Sequence, residues 1–171
     1  MSKKALLVID MQNDYLWEKR KPMFSYDTPE LVDNVNKAVR SYKEKGWDII
    51  YISQIFPNII TNRWIIGFSI AGTEGAGLYS GLDIVSDLFF DKNLPDAFTS
   101  KKFREFFHSQ GYDEVAVCGL DECGCVGATA LGAVKAGLKT SLLKSSTGCR
   151  FKAEKAAKQY EKLTKNGVEY I

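Results

Sequence analysis

Three side chains able to act together on a carbonyl carbon each stand just past an apolar run. Asp10 follows Ala5-Leu6-Leu7-Val8-Ile9, Lys92 follows Leu88-Phe89-Phe90-Asp91, and Cys125 follows Ala116-Val117-Cys118-Gly119 after a short turn. A thiol at the start of a helix lies near unpaired backbone N–H groups and the positive end of the dipole, which favours the nucleophilic thiolate. Lys92 as an ammonium would favour the same form. Asp10 could take the thiol proton and pass it to a leaving amine. The backbone N–H groups of Asp121 and Cys125 could hold the oxyanion, and losing one such donor typically costs on the order of 10²–10³ in rate.

These residues meet only if their strands are parallel neighbours in one sheet. Ala5–Ile9 is continuous in apolar character, which suits a strand buried on both faces. Thr28 reads as a helix N-cap with Pro29 at the first helical position. Leu31, Val32, Val35, Ala38, Val39 and Tyr42 follow at helical spacing until Gly46. Trp47 to Ser53 gives a second strand, so the chain opens β-α-β with a right-handed crossover. Leu88-Phe89-Phe90 predicts a third strand, Glu114 to Gly119 a fourth and Thr140 to Leu143 a fifth, with an edge strand over Val168 to Ile171. Between them fall helices from Thr99 as cap to Gly111, from about Cys123 to Ala136, and from about Lys152 to Thr164. Residues 56–82, mixing Asn, Gly and Thr with Trp64, Phe68 and Tyr79, read as a long active-site loop. The expected architecture is α/β: a three-layer domain over residues 1–171 with a mostly parallel five- or six-stranded sheet. Its carboxyl edge, where Asp10, Lys92 and Cys125 fall, is the ligand edge of such sheets.

Composition narrows the partners. The 171 residues carry a net charge of +2 with acidic and basic groups interspersed, which argues against a nucleic-acid tail or a polybasic membrane patch. No apolar run is long enough to span a bilayer, and no signal-like segment opens the chain, so a cytoplasmic protein acting on a small molecule is expected. Four cysteines need no disulfide framework there. Cys123-Gly124-Cys125 could instead be a redox pair, or half of a metal site with Cys118 and Cys149, but two pairs at C-x₂₋₄-C spacing are lacking. Cys123 could also condense with an oxidised Cys125. No G-x-G-x-x-G follows the first strand, so a dinucleotide is not indicated. The polar candidates for substrate contact are Gln12, Tyr15, Gln54 and Glu122, with Asn62 and Arg63. Trp64 is the aromatic candidate, with Trp17, Phe24, Phe68 and Tyr79 as further lining. Each has a plainer role in core packing, in a solvated face or, for Glu122, beside a helix dipole.

The stretch Leu7-Val8-Ile9-Asp10-Met11-Gln12-Asn13-Asp14-Tyr15 resembles the N-terminal signature of the isochorismatase-like cysteine hydrolases. Gly72-Thr73-Glu74-Gly75-Ala76 ahead of Lys92 and Asp96-Ala97-Phe98 is similar to that family's middle motif. Gly119 to Val126, followed by Ala128-Thr129-Ala130, is similar to its nucleophile turn. The resemblance implies a Rossmann-like sheet with catalytic Asp10, Lys92 and Cys125, and a cis peptide between Leu120 and Asp121 shaping the oxyanion hole. It also implies a homo-oligomer. It departs at Asp121, where the family usually has an apolar residue, and at Glu122-Cys123, where it usually has Thr-Asp. The family's nicotinamidase branch holds a metal with Asp and His after the second strand. Here those positions are Gln54 and Phe56, and the chain has one histidine, His108, so no metal or other cofactor is expected. The resemblance then points to an amidohydrolase cleaving a small amide, carbamoyl or ureido C–N bond through a Cys125 acyl-enzyme. The alternatives are an isochorismatase-type vinyl-ether hydrolase and a degenerate member that binds a ligand or protein partner without turnover.

Overall fold

The computed structural model describes residues 3–171; residues 1 and 2 of the expected 1–171 domain lie outside them. Strands β1 (Lys3–Ile9), β2 (Asp48–Gln54), β3 (Phe89–Lys92), β4 (Tyr112–Gly119), β5 (Lys139–Thr147) and β6 (Glu169–Tyr170) form one sheet. Their order is β3-β2-β1-β4-β5-β6, and every pairing is parallel. The helices are α1 (Asn13–Leu16), α2 (Thr28–Glu44), α3 (Ile60–Ile65), α4 (Lys101–Gln110), α5 (Cys125–Lys135) and α6 (Ala153–Lys165).

The apolar run of β1 is central, and its alternating side chains enter two cores. Ala5, Leu7 and Ile9 pack with Phe103 and Phe107 of α4, Val126, Ala130 and Ala133 of α5, and Leu163 of α6. Leu6 and Val8 pack on the other face with Leu31, Val32, Val35 and Val39 of α2. Each fully buried aliphatic side chain contributes about 1.5–3 kcal/mol, so these two layers fix the sheet between its helices.

Three local expectations change. Asp27, not Thr28, caps α2: its carboxylate accepts from the Glu30 N–H at 3.2 Å, because the Thr28 hydroxyl donates to the Leu16 carbonyl. Thr99 closes a 3₁₀ turn capped by Asp96, and α4 starts after Ser100, whose hydroxyl is committed to the Asp91 carbonyl. β5 runs four residues beyond Leu143, to Thr147, which pairs with Gly119.

Gly119 sets the distance between the β4 turn and the end of β1. Its φ is +105°, and a Cβ there would stand 2.2 Å from the Ile9 carbonyl oxygen. That same carbonyl accepts from the Leu120 N–H at 2.9 Å, drawing the turn against Asp10. Gly119→Ala is therefore expected to cost roughly 3 kcal/mol or more in urea unfolding, through a backbone clash and a left-handed φ. Gly111→Ala, at φ +69° with open space around it, should cost only about 1 kcal/mol.

Candidate active site

Asp10 leaves β1 with φ +52°, a left-handed turn that aspartate tolerates better than most residues. Its N–H donates to the Ile52 carbonyl at 2.8 Å, fixing the turn to β2. Lys92, the last residue of β3, extends over β2, and its Nζ reaches Asp10 Oδ2 at 3.0 Å and Gln54 Oε1 at 2.8 Å. Lys92 is 1% exposed and Asp10 3%. Cys125 is the first residue of α5, behind Gly124 as N-cap, and its Sγ lies 3.9 Å from Gln54 Oε1. The Leu120–Asp121 peptide is cis, as the resemblance implies.

Burial and pairing set the charges. Burial pushes the Asp10 carboxyl above its ordinary value, with the Lys92 ammonium opposing it. Burial would lower Lys92, but Asp10 and Cys125 together outweigh it and hold the ammonium protonated. The Cys125 thiol is pushed up to about 12 by burial and then by the Asp10 charge, against a smaller pull from Lys92. Burial thus favours the Cys125 thiol over the expected thiolate, beside a carboxylate of raised proton affinity. Asp10 Oδ1 is buried with no hydrogen-bond partner, while Oδ2 is held by Lys92. The Asp121 carbonyl accepts from the Gly124 and Val126 N–H groups, whereas the Asp121 and Cys125 N–H groups make no hydrogen bond in the described chain.

A cavity of about 400 Å³ opens over these groups. Asp10, Tyr15, Gln54, Asp121 and Cys125 line it, with Phe24 and Phe68 as anticipated. Tyr15 forms its wall: the ring packs edge-on to Phe24 and Phe68, and its hydroxyl accepts from Ser69. Gln54 holds Lys92 with its oxygen and has a buried, unpartnered Nε2.

Several candidates do not reach the cavity, Trp17 and Tyr79 among them. Gln12 is spent on structure, pairing with the Gln54 backbone through both its amide atoms and donating also to the Ala76 carbonyl. Glu122 is fully buried on the other side of the turn, ion-paired with Lys144 and accepting from the Tyr170 hydroxyl. Trp64 is 85% exposed on α3, a short helix that buries none of its residues. Asn62 and Arg63 are likewise turned to their own loop, bonding the Pro57 carbonyl and Asn58.

The family model for the isochorismatase domain matches residues 4–171. The chain belongs to the isochorismatase family. Pyrazinamidase of Pyrococcus horikoshii, solved in complex with zinc, superimposes with a TM-score of 0.83 at 26% identity, covering 99% of this chain and 98% of that one. N-carbamoylsarcosine amidase from Thermoplasma acidophilum shares the fold, with a TM-score of 0.80 at 20% identity over 98% and 95% of the two chains. A probable inactive nicotinamidase of Arabidopsis thaliana is 28% identical over 142 residues, 76% of this chain and 72% of that protein. The two solved structures are thus a pyrazinamidase and an N-carbamoylsarcosine amidase, and no helix of the described residues is long and apolar enough to cross a membrane.

This isochorismatase-family site does not suit the metal of the nicotinamidase branch. The Gln54 carboxamide oxygen is engaged by an ammonium, and Phe56, which lines the cavity, offers no donor. His108 is an exposed residue near the end of α4. Among the described residues only Asp121, Cys123 and Cys149 cluster as metal-type side chains. The Asp121 carboxylate already accepts from Tyr26 Oη and from the Cys123 and Arg150 N–H groups.

Arg150 was not anticipated. It lines the cavity with its guanidinium carbon 4.5 Å from the Phe151 ring centre and 5.5 Å from that of Phe24. No carboxylate of the described residues lies within ion-pair distance of it. Its signal is a cation shortly past the end of β5, masked by the exposed Lys144 and Ser145 inside that strand.

A thiol at rest has a direct signature. The rate of Cys125 alkylation by iodoacetamide, followed by mass spectrometry, should keep climbing through the alkaline range. A plateau below about pH 8 would mean a resting thiolate instead.

Proposed function

We propose that this chain is a cysteine amidohydrolase for small amide, carbamoyl or ureido compounds bearing an acidic group. What supports it is the convergence of Cys125, the unpartnered Asp10 Oδ1 and two uncommitted backbone N–H groups on one cavity. Cys125 Sγ attacks the substrate carbonyl carbon as its proton passes to Asp10. The Asp121 and Cys125 N–H groups receive the oxyanion, and Lys92 keeps Asp10 oriented and balances the charge left near the sulfur. Asp10 returns the proton to the departing nitrogen, so ammonia or an amine leaves and a thioester remains. Water, deprotonated by Asp10, then releases the acid and restores the thiol. A carboxylate on the substrate fits the Arg150 guanidinium, which lies near the Phe24 and Phe151 rings with no ion-pair partner among the described residues.

A ligand-binding member without turnover is the second reading, favoured by the carboxyl-bearing Asp121 in the turn and by the relative described as a probable inactive nicotinamidase. Ammonia release from a panel of small amides, carbamoyl compounds and ureido acids, measured with chelator present, separates the two. Native protein should release ammonia, and Cys125→Ala and Asp10→Asn should lose at least about 10³-fold. Silence across the panel from native protein would favour the second reading. Arg150→Met should raise KM roughly 30-fold or more for acidic substrates and leave neutral ones nearly unchanged.

The pH profile follows from Asp10. The base works only when ionised, and its proton affinity is raised in the folded chain. The acidic limb of kcat/KM should therefore have its midpoint above the roughly 3.9 of a free aspartate, with rate increasing as pH rises through it. A midpoint at or below the free value would contradict the role given to burial.

A further inference from the structure

Two thiols outside the reacting set face each other at the cavity rim. Cys123 Sγ and Cys149 Sγ are 3.7 Å apart, and Cys123 lines the cavity while Cys149 borders a separate surface depression with Tyr26 and Asp27. Their loops are already fastened side by side. The Glu122 N–H donates to the Gly148 carbonyl at 2.9 Å, and one carboxylate, that of Asp121, accepts from both the Cys123 and the Arg150 N–H at 2.8 Å. The chain entropy of bringing the sulfurs together is thus spent in the reduced fold, which raises their effective concentration toward each other. The remaining cysteines are differently placed: Cys118 is buried in the sheet, and Cys125 faces Asp10 and Gln54.

We propose that Cys123 and Cys149 are a redox site, forming a reversible disulfide with peroxide that alters the nucleophile turn and slows the active site. One sulfur displaces water from hydrogen peroxide to give a sulfenic acid. The second sulfur attacks it and releases a second water. In total two thiols lose two protons and two electrons, and one peroxide becomes two waters. Bonding shortens the separation from 3.7 Å to about 2.05 Å and draws Cys123 toward Cys149. Cys123 lies two residues before Cys125 in the turn that carries the Asp121 and Cys125 N–H groups, so its movement displaces the oxyanion donors. The effect on rate rests on the hydrolase reading above; the disulfide itself does not.

The test uses the full chain treated with hydrogen peroxide, blocked with N-ethylmaleimide and digested without reductant. The expected product has lost two hydrogens, carries Cys123 and Cys149 in one linked peptide, and reverts with dithiothreitol; Cys149→Ser yields no such link. A Cys123–Cys125 link, or free Cys123 and Cys149 after Cys125 has been oxidised to sulfinic acid, would overturn the assignment. Reduced Cys149→Ser should hydrolyse substrate as the native chain does, and the oxidised native chain about tenfold more slowly until dithiothreitol restores it. Equal rates for oxidised and reduced native protein would overturn the effect on the turn. If reduced protein hydrolyses nothing, the hydrolase reading fails, and the linked peptide alone decides the redox site.

Discussion

An ammonium and a carboxylate removed from water, Lys92 against Asp10, are the constraint around which the rest of this molecule is arranged. Neither is tolerable alone at such depth, because an unpaired buried charge costs several kcal/mol. Together they are held by the Gln54 carboxamide, which takes a second position on the ammonium, and Gln54 is in turn fixed by both ends of the Gln12 side-chain amide. What looks like a set of independent polar residues at the sheet edge is therefore one connected network. The same burial that makes the pair costly raises the proton affinity of Asp10, which is what a base acting on a thiol needs.

The architecture serves this pair in two ways. Parallel strands bring the ends of β1, β2 and β3 to one edge, so that Asp10, Gln54 and Lys92 lie in sequence across three strands. Neighbouring strands are about 4.8 Å apart, and Lys92, two strands from β1, spans the gap with its four-carbon stem. On the other side Gly119 lets β4 press against the Ile9 carbonyl, which carries the turn before α5 to the same edge. Isochorismatase-family membership and the superposition on hydrolases of that fold agree with this layout.

The sequence was most legible where an apolar run stops. Asp10, Lys92 and Cys125 each follow such a stop, and burial on both faces of a parallel strand makes the run continuous and its end visible. It was least legible where the direction of a side chain decides its role. Gln12, Glu122 and Trp64 sit in or near motif stretches, yet one is consumed by backbone pairing, one is buried behind the turn and one faces solvent. Local spacing carries no information on those outcomes, because they depend on Ala76, Lys144 and Tyr170, far away in the chain. The cationic lining from Arg150 was obscured by Lys144 and Ser145, two exposed residues inside β5 that interrupt its apolar pattern while the backbone stays extended.

The placement of Lys92 has a consequence for how the protein wears. β3 has four residues, pairs with β2 alone and forms one border of the sheet. Border segments with few partners open at lower free energy than central ones. The ammonium that faces Asp10 is thus hung from a border plank of the floor rather than from its middle. A brief peeling of that plank withdraws the ammonium and leaves Asp10 without its counter-charge, while β1 and β4 stay in place. The charge balance at Asp10 is tied to the integrity of the sheet's margin rather than of its middle.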